Sequence, residues 1–274
     1  DLSKNWWIFK FIIKKRIKIM SKFLLKVLSV THWTDTLFSF QIERPKDFKF
    51  KSGEFVMIGL PNSDKPILRA YSICSPSWDE KLEFYSIIVE NGPLTSKLKN
   101  IKINDEIILM SKSTGTLILD ALKPAKRLFL FSTGTGFAPF SSIIRDPETY
   151  DKFEKIIVTH TCRFKNELHY SEKIINECIN DEILKSFIED KLIYYKSTTQ
   201  ENSEYTGRIT NNIQNKSFYN DLKLDDLNFS TDCAMICGSL DFNNELKNLL
   251  IEKGFQEGAT NKPNTFVLEK AFVG

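Results

Sequence analysis

Short segments in which apolar and polar residues alternate fill the first part of the chain. In TLFSFQI, the apolar residues Phe38, Phe40 and Ile42 are separated by single polar residues. This two-residue period predicts a half-buried β-strand. Similar segments follow between Gly, Pro, Asn, Asp and Ser residues: EFVMIGL, ILRAYSIC, LEFYSIIVE, DEIILMSK and TLILD. Many short strands at this spacing predict a closed antiparallel barrel over residues 22–120, interrupted by one helix-like segment, GPLTSKLKNI.

After Pro124 the pattern changes to apolar strands separated by amphipathic helices. The strand segments are RLFLFST, KIIVTHTC, LIYYKSTT and DCAMICGS. Two helical segments, NELHYSEKIINECIN and LDFNNELKNLLIEKG, have apolar residues at helical spacing, and Gly254 is the expected C-cap of the second. Strands that alternate with helices predict a parallel sheet. We therefore expect a barrel domain over 20–122 and an α/β domain over 123–274, after an extension at 1–19.

The charge of the chain is concentrated in that extension. Residues 1–19 carry six Lys or Arg and one Asp, so the rest of the chain is near −2 although the total is +3. This distribution excludes a large nucleic-acid-binding surface. The extension lacks the roughly 20 apolar residues of a membrane span and the cleavage site of a signal peptide. We expect a sequence upstream of a natural start at Met20, with contact to a membrane surface as the alternative.

The cysteines and histidines indicate no metal site. There are five Cys without C-x-x-C spacing and three scattered His, so zinc and iron–sulfur motifs are absent from the sequence. Unpaired cysteines of this kind favour reduced thiols in a cytoplasmic protein.

The segment STGTGFAPF connects one predicted strand, ending near Ser132, to a predicted helix over 137–144. Its glycines, Gly134 and Gly136, bring backbone amides to the start of that helix, which suits a phosphate. Pro139 fits the first helical turn, where no backbone donor is needed. The segment is neither a P-loop nor the G-x-G-x-x-G fingerprint. Taken alone, it is equally consistent with a plain strand-to-helix turn.

Five motifs occur in a characteristic order: RAYSICSP, GPLTS, GTGFAPF, CGS and VLEKAFVG. Together they resemble the ferredoxin–NADP⁺ reductase family, and within it the bacterial flavodoxin/ferredoxin reductases, over residues 21–274. The resemblance implies a six-stranded FAD-binding barrel followed by a Rossmann-like NADP(H)-binding domain. It also implies FAD-mediated hydride transfer with NADP(H), coupled to one-electron exchange with ferredoxin or flavodoxin. We expect a monomer.

The resemblance assigns FAD to the first domain. Arg69 offers a planar fork to a pyrophosphate, and Tyr71 a ring to stack on the flavin, with its hydroxyl free toward the ribityl chain. In GPLTS, Thr95 and Ser96 are expected to present amide and hydroxyl donors to the same pyrophosphate, which favours FAD over FMN. The implied FAD-binding residues are Arg69, Ala70, Tyr71, Ser72, Phe84, Tyr85, Ser86, Gly92, Leu94, Thr95, Ser96, Thr116, Ala271 and Phe272.

The resemblance assigns the nicotinamide dinucleotide to the second domain. Cys237 is expected to pack beside the nicotinamide, with a buried strand-end cysteine as the alternative. Glu269 is a candidate for proton exchange with the flavin, with a solvated glutamate as the alternative, and Ala271 replaces an aromatic residue of plant-type relatives. The implied catalytic residues are Cys237, Tyr71, Ser72, Glu269 and Ala271. The implied NADP-binding residues are Thr133, Gly134, Thr135, Gly136, Pro139, Arg163, Thr199, Arg208, Cys237, Gly238 and Ser239.

The choice between NADPH and NADH depends on the segment YYKSTTQENSEYTGRIT. Thr199 and Arg208 match positions that bind the 2′-phosphate, whereas Gln200 stands where many relatives carry arginine. Loss of one charge-assisted contact weakens selectivity by roughly 1–2 kcal/mol, and Arg163 is placed to compensate. We expect NADP(H).

Two other functions remain open. The first is an NADH-using flavin reductase component of an oxygenase, which would need a separate iron–sulfur protein because the chain has no C-x₄-C-x₂-C motif. The second is a flavin electron-transfer subunit without turnover of its own. The nicotinamide loop together with CGS argues against that subunit, which needs no second nucleotide site.

Overall fold

The computed structural model describes residues 22–61, 66–188 and 190–271. The predictions for residues 1–19 and for Phe272 lie outside these ranges. No helix in the described part of the chain is long and apolar enough to cross a membrane.

The first half forms the predicted antiparallel barrel. Its six strands lie in the order β4-β3-β6-β1-β2-β5, and every neighbouring pair is antiparallel. The outer strands also meet, because the Cys74 amide after β4 donates to the Glu83 carbonyl of β5 at 2.8 Å. The strands are β1 Lys22–His32, β2 Leu37–Glu43, β3 Phe55–Gly59, β4 Leu68–Ser72, β5 Lys81–Ile87 and β6 Glu106–Thr114.

Strand β2 is more deeply buried than its alternating pattern predicts. Phe38, Phe40 and Ile42 lie in the barrel core as expected. Ser39 on the opposite face is buried as well, because the Trp33 indole covers it and donates to its hydroxyl at 3.1 Å. The face that was expected to meet solvent is therefore covered by a neighbouring part of the chain.

Two predicted elements differ from those observed. TLILD is not a strand: Leu119–Ala121 forms a 3₁₀ turn, and Leu117 and Ile118 are buried in the core shared with the second sheet. An apolar run alone does not distinguish a strand from a buried connection. GPLTSKLKNI contains only one helical turn, α1 Thr95–Leu98.

The second half forms the predicted parallel sheet, with strand order β10-β9-β8-β7-β11-β12 and parallel pairing throughout. The strands are β7 Arg127–Thr133, β8 Lys155–Cys162, β9 Leu192–Thr198, β10 Tyr205–Thr206, β11 Asp232–Gly238 and β12 Phe266–Lys270. The chain runs outward from β7 in one direction and then continues with β11 on the other side. Ligands of open parallel sheets bind where the order reverses, which here is between β7 and β11.

Helices lie between these strands. They are α2 Ala138–Ile143, α3 Pro147–Lys152, α4 His169–Asn180, α5 Lys185–Ile188, α6 Ile209–Gln214, α7 Ser217–Leu222 and α8 Leu240–Glu252. Two further 3₁₀ turns are Gly134–Phe137 and Lys165–Leu168. Gly254 follows α8 at φ +89°, and the next amide, of Phe255, donates to the Leu250 carbonyl at 3.0 Å. The predicted glycine stop is therefore confirmed.

Polar bonds join the two sheets across a buried contact. Arg145, after α2, donates to the Glu83 carboxylate of β5 at 3.1 Å and to the Cys74 carbonyl at 2.6 Å. Both side chains of this ion pair are largely buried. Ser142 of α2 donates to the Ser75 carbonyl at 2.7 Å. These bonds hold α2, the helix that follows the glycine turn, against the barrel. They therefore fix the position of the glycine turn relative to the barrel strands.

Candidate functional site

The glycine turn after β7 lies at the point where the strand order reverses. Gly134 has φ +52°, a conformation that favours glycine, and a β-carbon there would meet nothing within 4 Å beyond its chain neighbours. Gly136 is needed for another reason, because a β-carbon there would overlap the Cys237 carbonyl at the end of β11. Pro139 stands in the first turn of α2, as predicted. The turn is therefore open beside Gly134 and closed beside Gly136.

The CGS segment at the end of β11 lies opposite the glycine turn, and the two segments form the sides of a crevice between β7 and β11. A β-carbon on Gly238 would overlap the Thr133 hydroxyl and the Phe242 ring, so the ends of β7 and β11 are in contact. Ser239 caps α8, and its hydroxyl accepts from the Phe242 amide at 3.3 Å. The structure thus brings Thr133, Gly136 and Gly238 together, as the predicted nicotinamide site requires.

Cys237 is buried at this junction, and its burial raises the pKa of the thiol well above its usual range. The nearby Glu269 carboxylate acts in the same direction. A thiol of this kind stays protonated at neutral pH and is a poor nucleophile. Its surroundings suit a packing role.

Glu269 connects the two sheets at the same place. It pairs with Cys237 between β12 and β11. Its Oε1 accepts from the Thr116 amide and from the Thr116 hydroxyl, the latter at 3.0 Å. Its Oε2 is buried without a hydrogen-bond partner among the described residues. Burial raises the pKa of this carboxyl, although the bonds from Thr116 act in the opposite direction. Glu269 is therefore not the solvated glutamate of the alternative interpretation.

Tyr71 on β4 faces β5 inside the barrel wall. Its hydroxyl is 3.0 Å from the Ser86 hydroxyl, so it is not free as expected. Its ring lies edge-on to Phe84, with centroids 6.3 Å apart and an angle of 89°. Burial raises the pKa of Tyr71 to about 12, and the phenol is protonated at neutral pH.

The three implied FAD residues of β5 do not share one face. Phe84 and Ser86 point toward Tyr71, whereas Tyr85 stacks on Tyr170 of α4, with ring centroids 4.2 Å apart. Successive side chains of a strand alternate between its faces, so this division is unavoidable. The structure brings Phe84 and Ser86 to the Tyr71 side and leaves Tyr85 at the contact between sheets.

The hydroxyls of GPLTS shape their own turn. Thr95 accepts from the Val89 amide at 3.2 Å, and Ser96 donates to the Gly92 carbonyl at 2.6 Å. A β-carbon on Gly92 would overlap the Thr95 hydroxyl. Both hydroxyls are thus engaged within the turn, and their role toward a pyrophosphate stays a prediction.

The remaining implied FAD residues lie in both halves of the chain. Ala70 pairs with Met57 of β3, and the Arg69 guanidinium donates to the Leu68 carbonyl at 3.0 Å. Leu94 is buried in the barrel core, and Ser72 ends β4. Ala271 donates its amide to the Gly238 carbonyl at 2.8 Å, which ties the chain after β12 to the crevice.

Backbone bonds hold the implied 2′-phosphate residues together. The Thr199 amide donates to the Cys162 carbonyl and the Gln200 amide to the Arg163 carbonyl, each at 3.0 Å. Arg163 is exposed, and its guanidinium has no ion-pair partner within the described ranges. Arg208 stands at the start of α6 with 71% of its side chain exposed and lies 3.9 Å from Glu245. Arg163, directly after β8, is therefore an exposed cation beside the loop that follows β9, whereas Arg208 is paired with Glu245.

No sequence motif pointed to His160. It lies on β8 and is fully buried, with Nε2 2.9 Å from the carbonyl oxygen of Gly134. Only its place on the strand next to the glycine strand could have indicated this contact. In the part of the chain that the structure describes, no cluster of His, Cys, Asp or Glu could hold a metal ion.

The chain is similar to known proteins over most of its length. Residues 22–117 match the family of oxidoreductase FAD-binding domains. The chain is 51% identical over 249 residues to a flavodoxin/ferredoxin–NADP reductase of Rhodobacter capsulatus, which covers 90% of this chain and 92% of the relative. It is 43% identical over 249 residues to a ferredoxin–NADP reductase of Azotobacter vinelandii, which covers 90% of this chain and 96% of the relative.

Among solved structures, the fold is similar to a ferredoxin NADP⁺ reductase from Neisseria gonorrhoeae with bound FAD and NADP. The TM-score is 0.83 at 26% sequence identity, and the match covers 92% of this chain and 99% of that one.

Proposed function

The chain belongs to the flavodoxin/ferredoxin–NADP reductase family, and we propose that it transfers electrons between NADP(H) and a ferredoxin or flavodoxin. It is an FAD-dependent oxidoreductase. The observation that carries the proposal is the contact of Gly136 with Cys237, because it joins a phosphate-type turn to the end of β11 at the reversal of strand order.

FAD, when bound, exchanges a hydride with the nicotinamide and single electrons with a protein partner. The residues of the chain hold and orient the two nucleotides. We assign the barrel wall at Tyr71 and Ser86 to the flavin side, and the turn over residues 134–136 to the dinucleotide pyrophosphate. Cys237 packs beside the nicotinamide. The open space beside Gly134 fits such a ligand, since a backbone without a side chain allows close approach.

Glu269 is the residue proposed to hold and release a proton at this junction. Its Oε1 is fixed by Thr116, while its buried Oε2 has no partner in the described chain. A carboxyl with a raised pKa carries its proton at a higher pH than an exposed one does, which suits proton exchange.

We propose NADP(H) as the preferred nucleotide, bound at its 2′-phosphate by Thr199, Arg163 and Arg208. The Arg163 guanidinium supports this choice. It lies beside Gln200 and can supply the positive charge that Gln200 lacks. We also propose the division into units over 20–122 and 123–274, and a monomer that works in the cytoplasm. All five cysteines are buried and unpaired, as in a reducing compartment.

Reduction of a ferredoxin or flavodoxin by NADPH tests the function. The purified protein is incubated with NADPH or NADH and with each acceptor, and the acceptor spectrum is followed. The expected result is reduction of the acceptor at a rate that depends on this protein and is faster with NADPH. Turnover with NADH alone, and only when an oxygenase iron–sulfur protein is the acceptor, would favour the oxygenase component instead.

A further inference from the structure

His160 lies directly behind the glycine turn. It stands on β8, beside Ser132 of β7, and is completely buried. Its ring stacks on Phe137 of the turn, with centroids 5.0 Å apart and an angle of 26° between the planes. Its Nε2 is 2.9 Å from the Gly134 carbonyl oxygen. One side chain therefore supports the turn by both stacking and hydrogen bonding.

The protonation of the ring follows from its partners. A carbonyl oxygen only accepts hydrogen bonds, so Nε2 carries the proton and donates it to Gly134. Burial lowers the pKa of His160 to about 4, and the ring is neutral at physiological pH. Its Nδ1 is then an acceptor for the Ser171 hydroxyl, which is 2.7 Å from Nδ1 and also 2.8 Å from the carbonyl oxygen of Leu168.

The arrangement continues beyond Ser171. The Tyr194 hydroxyl is 2.7 Å from the Ser171 oxygen and donates to it when Ser171 donates to the ring. The Cys162 sulfur, 3.3 Å from Nε2, is a second and weaker acceptor on the Gly134 side. Because the Gly134 carbonyl only accepts, the donor proton of His160 stays on Nε2, the nitrogen that faces the turn.

This bond determines where the next amide points. The C=O and N–H groups of a trans peptide unit point in opposite directions, and the described chain contains no cis peptide bond. Since the Gly134 carbonyl is held against His160, the N–H of Thr135 in the same peptide plane points away from β8. Gly134, at φ +52° and at the start of the 3₁₀ turn Gly134–Phe137, has more backbone freedom than any other residue type, and the bond to His160 adds to the restraint of the turn.

We propose that His160 is a positioning residue for the nicotinamide dinucleotide, because its bond to Gly134 keeps the Thr135 amide aimed at the pyrophosphate. This inference rests on the proposed dinucleotide site. His160 itself touches no ligand, since the turn lies between it and the crevice. It acts on affinity for the dinucleotide and not on the hydride-transfer step.

The test compares two side chains of similar length, one with a donor and one without. In His160→Gln the amide nitrogen reaches the position of Nε2 and can donate to Gly134, whereas His160→Met cannot. Calorimetry measures NADP⁺ binding to each FAD-loaded protein. We expect affinity about tenfold weaker for the Met variant, the loss of one well-placed hydrogen bond, and near wild-type affinity for the Gln variant.

A second ligand separates positioning from general damage. 2′-AMP has the 2′-phosphate but no pyrophosphate, so its affinity is expected to be the same in wild type and both variants. In steady state, the Met variant raises KM for NADPH and leaves kcat unchanged. Equal NADP⁺ affinity in the Met and Gln variants, or a parallel loss of 2′-AMP binding, overturns the proposal. Wild-type protein that binds no NADP⁺ refutes the proposed dinucleotide site instead.

The protonation state gives a measurement that needs no variant. Nitrogen NMR of the histidine rings in the wild-type protein distinguishes the two neutral forms. The proposal requires a neutral His160 protonated on Nε2, with that signal shifted by NADP⁺. A ring protonated on Nδ1 could not donate to Gly134 and overturns the proposal even if the Met variant does not fold.

Discussion

The carbonyl of Cys237 packs against the α-carbon of Gly136, so closely that a β-carbon on residue 136 would overlap it. The contact joins the turn after β7 to the end of β11. It explains why the second glycine of the turn is needed although its φ is ordinary. The first, Gly134, is required by its left-handed conformation instead. Gly134 thus provides a backbone conformation that favours glycine, whereas Gly136 provides space for the Cys237 carbonyl.

The Gly136→Ala variant tests the contact between the turn after β7 and the end of β11. The new methyl group must displace the Cys237 carbonyl or the turn itself, so we expect NADP⁺ affinity to fall by tenfold or more and flavin reduction to slow, since small errors of position weaken transfer strongly. Gly134→Ala acts by another route: its methyl group leaves Cys237 in place but enters the open space assigned to the dinucleotide, and the left-handed backbone costs about 1–2 kcal/mol of stability. Calorimetry with NADP⁺ and thermal unfolding measure both. Unchanged NADP⁺ affinity in Gly136→Ala would contradict the contact.

Glu269→Gln tests the buried carboxyl. Glutamine keeps an oxygen for the bonds from Thr116 but does not ionise. Burial raises the pKa of Glu269 above its unfolded value, so its contribution to stability is complete at low pH and is lost as pH rises through the folded pKa. The Gln variant has no group that ionises at this position, so its free energy of unfolding does not fall for this reason as the pH rises. We expect its melting temperature to exceed that of wild type at neutral pH, and the difference to shrink as the pH is lowered through the folded pKa of Glu269.

Thermal unfolding from pH 7 downward, about one unit per step over the range where carboxyls titrate, checks this expectation. A difference between the two proteins that does not change with pH would show that Glu269 titrates as an ordinary exposed carboxyl.

Glu83→Ala removes one partner of the ion pair between the sheets and leaves Arg145 buried without its carboxylate. Loss of one member of a buried pair costs about 3–5 kcal/mol. The control is Glu257→Ala, which breaks the more exposed pair with Lys247 and is expected to cost less than about 1 kcal/mol. Denaturant unfolding gives both values. Similar losses in the two variants would mean that the Arg145 pair is not the main polar link between the sheets.

Gln200→Arg adds a cation beside Arg163, because the Gln200 amide is bonded to the Arg163 carbonyl. A new charge-assisted contact to the 2′-phosphate is expected to raise the preference for NADPH over NADH by about tenfold. The ratio of kcat/KM for the two nucleotides measures it, with Gln200→Met as the uncharged control. If both variants shift the ratio equally, the segment does not bind the 2′-phosphate through charge.

Local patterns in the sequence account for most of the elements. Pro139 and Gly254 have local conformational preferences, so their helix start and helix stop could be predicted from the chain alone. The error at TLILD arose because Leu117 and Ile118 are buried by the second sheet, which no local pattern reveals.

The site was less accessible to sequence analysis because it depends on contacts between distant residues. Phe84 and Tyr85 are equally aromatic, and only the assembled barrel decides that Tyr85 faces Tyr170. His160 and Gly134 are separated along the chain and meet only because β8 pairs with β7. The motifs identified the family, whereas the roles of hydroxyls such as that of Ser96 depend on acceptors elsewhere in the fold.

The reductase function is tested most directly by rapid-mixing reduction of the FAD-loaded protein without oxygen, with NADPH and NADH in parallel. We expect NADPH to bleach the visible flavin absorbance rapidly and NADH to do so more slowly, and we expect the Gly136→Ala variant to be slow with both. Equal or faster bleaching by NADH would contradict the proposed 2′-phosphate site. A bound flavin that neither nucleotide reduces would contradict the reductase function itself and favour an electron-transfer subunit.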